Sequence, residues 1–365
     1  MSLILHPKKA PKIEKQKVLP SLPKAPKPPS TARPKTNSKR NPRRNPRINK
    51  IKNPPKNPNP PKISPPSIQQ SSQNDDQYPS LPNSPLNPSN ILSEYSNLLT
   101  ERERFEIERY RDIYYIRKSP PDPKSYMMYD PEFFPFIQDD HIKYRYQQLE
   151  ELGRGSFGSV MKCYDHRTKK IVAVKLVRDN PKLHQQVQLE REVVESLMNR
   201  SDESSAHHIV KIFENFIYRS FVVFVFEVLS SNLYDALKAD RFKGLDIPKV
   251  KIVGRQIADS ISFLHSLNVI HCDIKPENIL WTNPRHNVVK LIDFGCCCYL
   301  NNTLYTYIQS RFYRAPEVML GIDYGQEIDV WSYGCVICEL ITGRPIFGGE
   351  DEIEQMALFI SVLGH

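Results

Sequence analysis

The most constraining feature of the sequence is a glycine-rich loop between two segments that alternate like β-strands. The loop carries Gly153, Gly155 and Gly158, a spacing that dinucleotide-binding folds also use. In those folds the glycines open a helix, whereas here residues 146–152 and residues 160–164 both have strand character. The sequence therefore predicts a β-hairpin whose tip covers phosphate groups, because glycines let backbone amides approach the phosphate oxygens.

A lysine interrupts the next apolar segment. Lys175 lies within residues 171–177, which otherwise read as a buried strand, and a buried lysine is costly unless it meets an anion. Alone it would be a strand-end residue that reaches solvent, but behind a glycine loop it is expected to contact the α- and β-phosphates. In the following helix Glu190 shares the apolar face with Val187, so we expect it to pair with the lysine. Glu192, on the polar face, is the alternative if the register differs.

A second cluster carries the residue types that phosphoryl transfer needs. Residues 271–280 read His-Cys-Asp-Ile-Lys-Pro-Glu-Asn-Ile-Leu, and an Asp-Phe-Gly triplet begins at Asp293. Asp273 would accept the proton of the substrate hydroxyl, and Lys275 would neutralise the γ-phosphate. Asn278 with Asp293 would hold Mg²⁺, which prefers a few protein oxygens beside phosphate oxygens. Each residue alone could be an ordinary loop residue, but the whole set in this order predicts phosphoryl transfer from ATP.

These motifs resemble those of eukaryotic protein kinases, and more narrowly the dual-specificity tyrosine-regulated kinases of the CMGC group. Cys272, where most kinases have arginine, is typical of that family, as is the Tyr-Thr-Tyr-Ile-Gln-Ser-Arg-Phe-Tyr-Arg-Ala-Pro-Glu sequence of residues 305–317. Residues 138–146 resemble the homology box that precedes the kinase domain. A helix predicted over residues 99–116 resembles, more loosely, the accessory region of the second class of the family.

The resemblance implies an α+β bilobal fold, with an antiparallel-sheet N-lobe and a mainly helical C-lobe. It also implies an enzyme that phosphorylates Ser and Thr of protein substrates, with a preference for Pro after the acceptor and Arg three residues before it. One tyrosine autophosphorylation is implied at Tyr307, and Arg311 and Arg314 would bind that phosphate. Asp329 would brace the backbone of the catalytic loop.

The predicted ATP site combines the glycine loop, the strand lysine and the positions that the resemblance adds. From the loop, strand and helix it takes Leu152, Gly153, Arg154, Gly155, Ser156, Phe157, Gly158, Ser159, Val160, Ala173, Lys175 and Glu190. The resemblance adds a gatekeeper, a hinge and ribose neighbours, namely Phe226, Glu227, Val228, Leu229, Asn232 and Asp235.

The N-terminal region has a composition that does not suit a folded core. Residues 1–70 hold 18 Lys/Arg and one acid, Glu14, so they carry +17 of a chain whose total is +10. They also hold 17 of the 32 prolines, whereas all 13 glycines lie at or after Gly153. We expect a disordered tail, whose basic cluster at residues 38–44 serves as a nuclear address, a nucleic-acid-binding arm or only a solubilising segment. This asymmetry excludes a single globular domain beginning at residue 1 and a uniformly basic nucleic-acid binder.

Four parts are predicted along the chain: a tail (1–92), an accessory helix with the homology box (93–145), an N-lobe with hinge (146–229) and a C-lobe (230–365). Order is expected to begin near Ser93, and Thr100 with Glu103 forms a capping box at the start of the accessory helix.

No segment suits a membrane span or a signal peptide. The seven cysteines predict free thiols in a reducing compartment, hence an intracellular protein that is cytoplasmic, nuclear or both.

Three consecutive cysteines, 296–298, replace the small polar residues expected after the Asp-Phe-Gly triplet. Because the positions that match Cys272 and Cys298 can approach each other in the family, the resemblance implies a reversible disulfide from Cys272 to Cys297 or Cys298. We expect that oxidation of the two thiols to this disulfide lowers activity. Cys163, Cys335 and Cys338 are expected to be small core residues.

The C-terminal end is expected to leave the C-lobe incomplete. From Tyr146 the chain has 220 residues, whereas the family's domain needs roughly 300, a normal scale for two-lobed enzymes. Glu317 is then expected to lack its arginine partner, and apolar faces of residues 328–341 and 356–363 to be uncovered. The alternative to an active kinase is therefore a catalytically impaired kinase-like scaffold or a nucleotide-binding interaction protein.

Overall fold

The structure is a computed structural model that describes residues 81, 84–120, 122, 133–155, 158–178, 183–200, 202–203, 207–283, 285, 287–302 and 307–364. The basic tail, with its proposed nuclear or nucleic-acid role, lies outside these residues. So do Ser156 and Phe157 of the glycine loop. No helix within the described ranges is long and apolar enough to span a membrane.

The segment before the sheet contains two short helices, α1 (Pro88–Glu94) and α2 (Glu101–Glu106). The predicted capping box is confirmed, because Glu103 N donates to Thr100 Oγ1 and Thr100 N donates to a carboxylate oxygen of Glu103. The prediction that order begins near Ser93 was wrong, since α1 begins at Pro88 with Asn87 as its N-cap.

The predicted continuation of this helix to Ile116 was also wrong. After α2 the chain makes a 3₁₀ turn (Ile107–Arg109) and then runs extended. Ile113 bridges Leu86, and the amides of Tyr114 and Tyr115 donate to the carbonyl of Tyr144. The β-branched and aromatic residues at 113–116 favour an extended backbone, and their apolar spacing near the helical period reflects burial at this junction.

A buried ion-pair network holds this segment against the sheet. The guanidinium of Arg117 lies 2.6 Å from carboxylate oxygens of both Glu103 and Asp140. Arg219 pairs with Glu106, and this pair joins α2 to a turn of the sheet. Charges removed from water are tolerated when they are paired in this way, so the accessory segment is specifically docked.

A six-stranded antiparallel sheet follows. It consists of β1 (His141–Ile142), β2 (Tyr146–Gly155), β3 (Gly158–Asp165), β4 (Lys170–Arg178), β5 (Ile212–Tyr218) and β6 (Phe221–Glu227), in the order β1-β2-β3-β4-β6-β5. The predicted glycine hairpin is confirmed as the β2–β3 pair, with Gly155 opposite Gly158. Alternate residues such as Val174 and Val223 fill one face, while Phe224 shares a core with Val194 of helix α3 (His184–Met198) on the other.

The remaining part is mainly helical, as the resemblance implied. Its helices are α4 (Leu233–Ala239), α5 (Ile247–Ser266), α6 (Pro316–Leu320), α7 (Glu327–Thr342) and α8 (Glu352–Leu363). Short strands β7 (Val269–Ile270), β8 (Ile279–Trp281), β9 (Val289–Leu291) and β10 (Cys298–Tyr299) form two pairs, β7 with β10 and β8 with β9. The buried faces of α5 and α7 contribute Ile257 and Val336 to one core, so the chain has the bilobal α+β fold.

Several apolar side chains of α7 and α8 face solvent. Val330 is 56% exposed and Leu363 is 62% exposed, within the two faces that the sequence analysis expected to lack cover. The opposite face of α8 packs Phe359 against Trp331 of α7. Glu317 in the first turn of α6 is half-buried, and no ion pair to it occurs among the described residues.

Candidate active site

Lys175 of β4 joins the two lobes. Its Nζ lies 2.6 Å from Glu190 Oε1 of α3 and 2.8 Å from Asp293 Oδ1 of the helical lobe. Burial alone lowers the pKa of Lys175, but the charges of Asp293 and Glu190 outweigh burial, so the pKa is raised and the amine stays protonated. Glu192 is exposed on the far side of α3, so the structure selects the first of the two candidates.

Asp293 is held as an anion beside this lysine. Its backbone is left-handed, with φ of 66°, and the amide of Gly295 donates to its Oδ1 at 3.2 Å. Burial acts to raise the pKa of Asp293, but the Lys175 charge and hydrogen bond outweigh it and lower the pKa to about 2. At neutral pH the cleft therefore contains a fixed carboxylate from the helical lobe.

The catalytic loop is anchored by a buried carboxylate of α7. Asp329 accepts hydrogen bonds from the backbone amides of His271 and Cys272 at 2.8 and 2.9 Å. It also lies 2.9 Å from His265 Nε2. Cys272 has a φ of 63°, a conformation that a non-glycine residue keeps only when its surroundings impose it. Asp329 thus has the bracing contacts expected from the resemblance.

Three donors converge on Asp273. Lys275 Nζ lies 2.7 Å from Asp273 Oδ2, Asn278 Nδ2 lies 3.0 Å from the same oxygen, and Ser310 Oγ lies 2.8 Å from Oδ1. Lys275 also donates to Ser310 Oγ at 3.1 Å. Sequence reasoning missed Ser310, since a serine inside the family motif carries no signal for a contact 37 residues away.

The candidate nucleotide cavity lies between the sheet and the helical lobe and has a volume of about 380 Å³. The predicted residues on its walls are Leu152, Gly153, Val160, Ala173, Lys175, Phe226, Glu227, Leu229, Asn232, Asp235 and Asp293. Predicted residues that are described but lie off its walls are Arg154, Gly155, Gly158, Ser159, Val228 and Glu190. The sequence missed a further set of wall residues, namely Val210, Ser230, Ser231, Glu277, Leu280 and Ile292.

Gly158 acts through the backbone of the hairpin. Its φ is 119°, and a Cβ on it would overlap the carbonyl oxygen of Leu176. Any side chain would therefore strain the backbone and push β3 away from β4. Glu227 lines the cavity, and its carboxylate accepts from the amide of Lys211 and pairs with Lys290, which fixes the start of the predicted hinge.

The residues at the predicted metal site suit Mg²⁺. Asn278 uses its amide nitrogen to donate to Asp273, so its amide oxygen is the atom left for a cation. Asp293 engages Lys175 and Gly295 through Oδ1, which leaves Oδ2. The backbone bond from Ile292 N to Asn278 O, at 3.0 Å, places the two residues in neighbouring segments. One carboxylate oxygen and one amide oxygen form a partial ligand set, of the type that Mg²⁺ completes with phosphate oxygens.

Tyr307 is 65% exposed, and the guanidinium of Arg314 lies 4.0 Å from the centre of its ring. Arg314 also donates to the carbonyls of Ile308 and Gln309. Arg311 instead directs a nitrogen to the carbonyl of Glu350. The structure therefore places one of the two predicted phosphotyrosine-binding arginines against Tyr307 and points the other toward the segment before α8.

Cys272 and Cys298 are neighbours in a buried cluster that includes Ile270 and Ile328, with their sulfur atoms 3.6 Å apart. Cys297 lies in the separate core cluster that includes Val187. The mutual hydrogen bond raises the pKa of Cys272 and lowers that of Cys298. Of the two pairings left open by the sequence, only that of Cys272 with Cys298 has adjacent sulfurs within the described residues.

Comparison with known proteins agrees with this geometry. The protein kinase domain family matches residues 146–362. The chain is 39% identical over 289 residues to Dual specificity tyrosine-phosphorylation-regulated kinase 3 of Mus musculus, covering 77% of this chain and 49% of that protein. It is 41% identical to the Putative dual specificity tyrosine-phosphorylation-regulated kinase 3 homolog of Drosophila melanogaster, covering 76% of this chain and 34% of the other.

A third relative is the Serine/threonine-protein kinase ppk5 of Schizosaccharomyces pombe, which is 39% identical and covers 73% of this chain and 33% of its own length. The chain thus spans about half of the mouse relative and about a third of the other two. The match of the kinase family to residues 146–362, together with the cleft described above, settles the assignment. The chain belongs to the protein kinase domain family and is similar to its dual-specificity tyrosine-phosphorylation-regulated members.

Proposed function

We propose that the chain transfers the γ-phosphate of ATP to Ser and Thr side chains of protein substrates with Mg²⁺, and that it phosphorylates its own Tyr307. The observation that carries the proposal is the position of Lys175 Nζ, within 2.8 Å of carboxylates from both lobes. In kinases a lysine–glutamate ion pair and the Asp of Asp-Phe-Gly must be in place together for transfer. This arrangement is typical of a catalytically competent cleft.

The cavity walls bind the nucleotide base, and Lys175 neutralises the α- and β-phosphates. When bound by Asn278 and Asp293, Mg²⁺ supplies charge neutralisation at the phosphate oxygens. Asp273 accepts the proton of the acceptor hydroxyl as the phosphoryl group moves to it. Lys275, which the Asp273 carboxylate holds at 2.7 Å, faces the transfer site as a cation that stabilises the developing charge.

Phosphorylation of Tyr307 would add nearly two negative charges beside Arg314. The tyrosine ring already lies 4.0 Å from that guanidinium. A phosphate on the hydroxyl would compete with Glu352, whose carboxylate lies 3.5 Å from Arg314 Nη1, for a charge-assisted contact. Arg311 would have to release the Glu350 carbonyl to join it. The proposed modification would therefore hold Tyr307 against the helical lobe through Arg314.

The test is bacterial expression of the full chain, followed by intact-mass and phosphopeptide analysis. We expect phosphate on Tyr307 in the wild type, and none in Asp273→Asn or Lys175→Arg. Tyr307→Phe is the matched control for site assignment. A soluble, monodisperse wild-type protein with unmodified Tyr307 and no kinase activity would contradict the proposal and favour the impaired scaffold.

A further inference from the structure

A second cavity of about 680 Å³ opens beside the catalytic loop. Lys275 and Ser310, both in contact with Asp273, form part of its wall, so it continues from the candidate transfer site. Arg241, after α4, and Arg344, after α7, line the same cavity. A segment of substrate on either side of an acceptor hydroxyl would pass through this space.

Three of the six charged groups that line the cavity are already engaged. Lys275 pairs with Asp273, Arg311 donates to the Glu350 carbonyl, and Glu339 accepts a 2.6 Å hydrogen bond from Tyr313. Arg241 and Arg344 are exposed, and their side chains have no hydrogen bond or ion pair within the described part of the chain. Among the described residues, the cavity thus presents two uncommitted guanidinium groups, and Glu277 is the one exposed carboxylate of its lining.

The fold holds these two arginines on adjoining backbones. Arg241 and Phe242 both adopt left-handed conformations, with φ of 54° and 56°. A Cβ on Gly343 would overlap the carbonyl oxygen of Phe242, so only glycine permits this close approach. Arg241 precedes one member of that contact and Arg344 follows the other. Strained backbone of this type persists where the surrounding structure imposes it, often at binding sites.

We propose that Arg241 and Arg344 form an anion subsite, which selects protein substrates with a phosphorylated or acidic side chain close to the acceptor Ser or Thr. This inference rests on the proposed kinase function and adds a substrate class to it. Guanidinium groups bind phosphate and carboxylate through paired, charge-assisted hydrogen bonds. The subsite is distinct from the Arg preference implied by the family resemblance, because an arginine of the substrate would need a carboxylate such as Glu277, whereas Arg241 and Arg344 attract anions.

The test uses serine peptides in which each position flanking the acceptor is replaced in turn by alanine, glutamate, phosphoserine or arginine. At one or two positions, phosphoserine is expected to raise the phosphorylation rate about tenfold over alanine, and glutamate by less. The Arg241→Ala/Arg344→Ala double variant should reduce that ratio to about one. Lys243→Ala, which removes an exposed cation paired with Asp240 instead, should keep it.

A rate that is independent of anionic residues at every position would overturn the subsite while leaving the kinase function intact. Absence of phosphorylation of every peptide would instead argue against the kinase function. In that case, binding of labelled phosphoserine and alanine peptides to Asp273→Asn protein still decides the subsite. About tenfold tighter binding of the phosphopeptide, lost in each single arginine variant, supports it, and equal affinities refute it.

Discussion

Ser310 donates a 2.8 Å hydrogen bond to Asp273, although the two residues lie 37 positions apart in the chain. The same hydroxyl accepts a 3.1 Å hydrogen bond from Lys275. Ser310 thereby fixes the orientation of the carboxylate that would take the acceptor proton. Ser310 is a positioning residue, because it acts on the reacting atoms through Asp273.

Replacing Ser310 by alanine is expected to lower kcat about ten- to a hundredfold, since a small misplacement of a catalytic group has effects of this size. The KM for ATP should change little, because Ser310 does not line the nucleotide cavity. Ser310→Thr keeps the hydroxyl and should restore most of kcat. Steady-state kinetics of both variants provide the measurement, and equal kcat values for alanine and threonine would contradict the positioning role.

Asp329→Asn should destabilise the helical lobe. The amide has one acceptor oxygen where the carboxylate has two, so one of the backbone amides of His271 and Cys272 loses its partner. Each buried donor left unpaired costs about 1–3 kcal/mol. Urea unfolding should show this loss, whereas Asp323→Asn, on an exposed residue, should leave the midpoint unchanged. An unaltered midpoint for Asp329→Asn would mean that the loop has another anchor.

Gly158→Ala should lower stability by about 1–3 kcal/mol, because the residue is left-handed and the added methyl group meets the Leu176 carbonyl. Gly153→Ala is the matched control, since a Cβ there has no neighbour within 4 Å. Thermal unfolding without nucleotide separates the two variants. If both lowered the melting temperature equally, loss of glycine flexibility in general would explain the effect.

Treatment with hydrogen peroxide should link Cys272 to Cys298. The thiolate of Cys298, whose pKa is lowered, would be oxidised to a sulfenic acid, and Cys272 would displace water from it to form the disulfide. Because Cys272 adjoins Asp273, kinase activity should fall and return with dithiothreitol. Peptide mapping identifies the bond. The Cys298→Ser variant should resist inactivation. A disulfide from Cys272 to Cys297, or no disulfide at all, would contradict the geometry.

Stability should fall as the pH drops from about 6.5 to about 4. Burial lowers the pKa of His166, which stacks on Tyr115, to about 4, whereas an unfolded histidine titrates near pH 6.5. The unfolded state then binds more protons across this interval, so the free energy of unfolding rises with pH, by up to about 1 kcal/mol per pH unit from this group. His166→Gln should flatten that pH dependence in urea unfolding. An unchanged slope would mean that another titratable group causes it.

The strands around the glycine loop and the pairing of Lys175 with Glu190 could be predicted from the sequence. Strand alternation and helical spacing are local patterns, and a buried lysine requires an anion nearby. The same reasoning failed for residues 110–116, because their aromatic spacing near the helical period came from burial against Tyr144 and the preceding segment. Periodicity reports which side chains are buried, but not which element buries them.

The linear order of residues by itself determined the chemistry: a glycine hairpin, a strand lysine, an Asp-Lys-Asn loop and an Asp-Phe-Gly triplet. Only the tertiary structure decided which groups meet, such as Ser310 with Asp273, Cys298 rather than Cys297 with Cys272, and Arg241 with Arg344 at the second cavity. The physical reason is that residue type and spacing act over a few positions along the chain. Contacts between distant segments depend instead on how helices and sheet pack together.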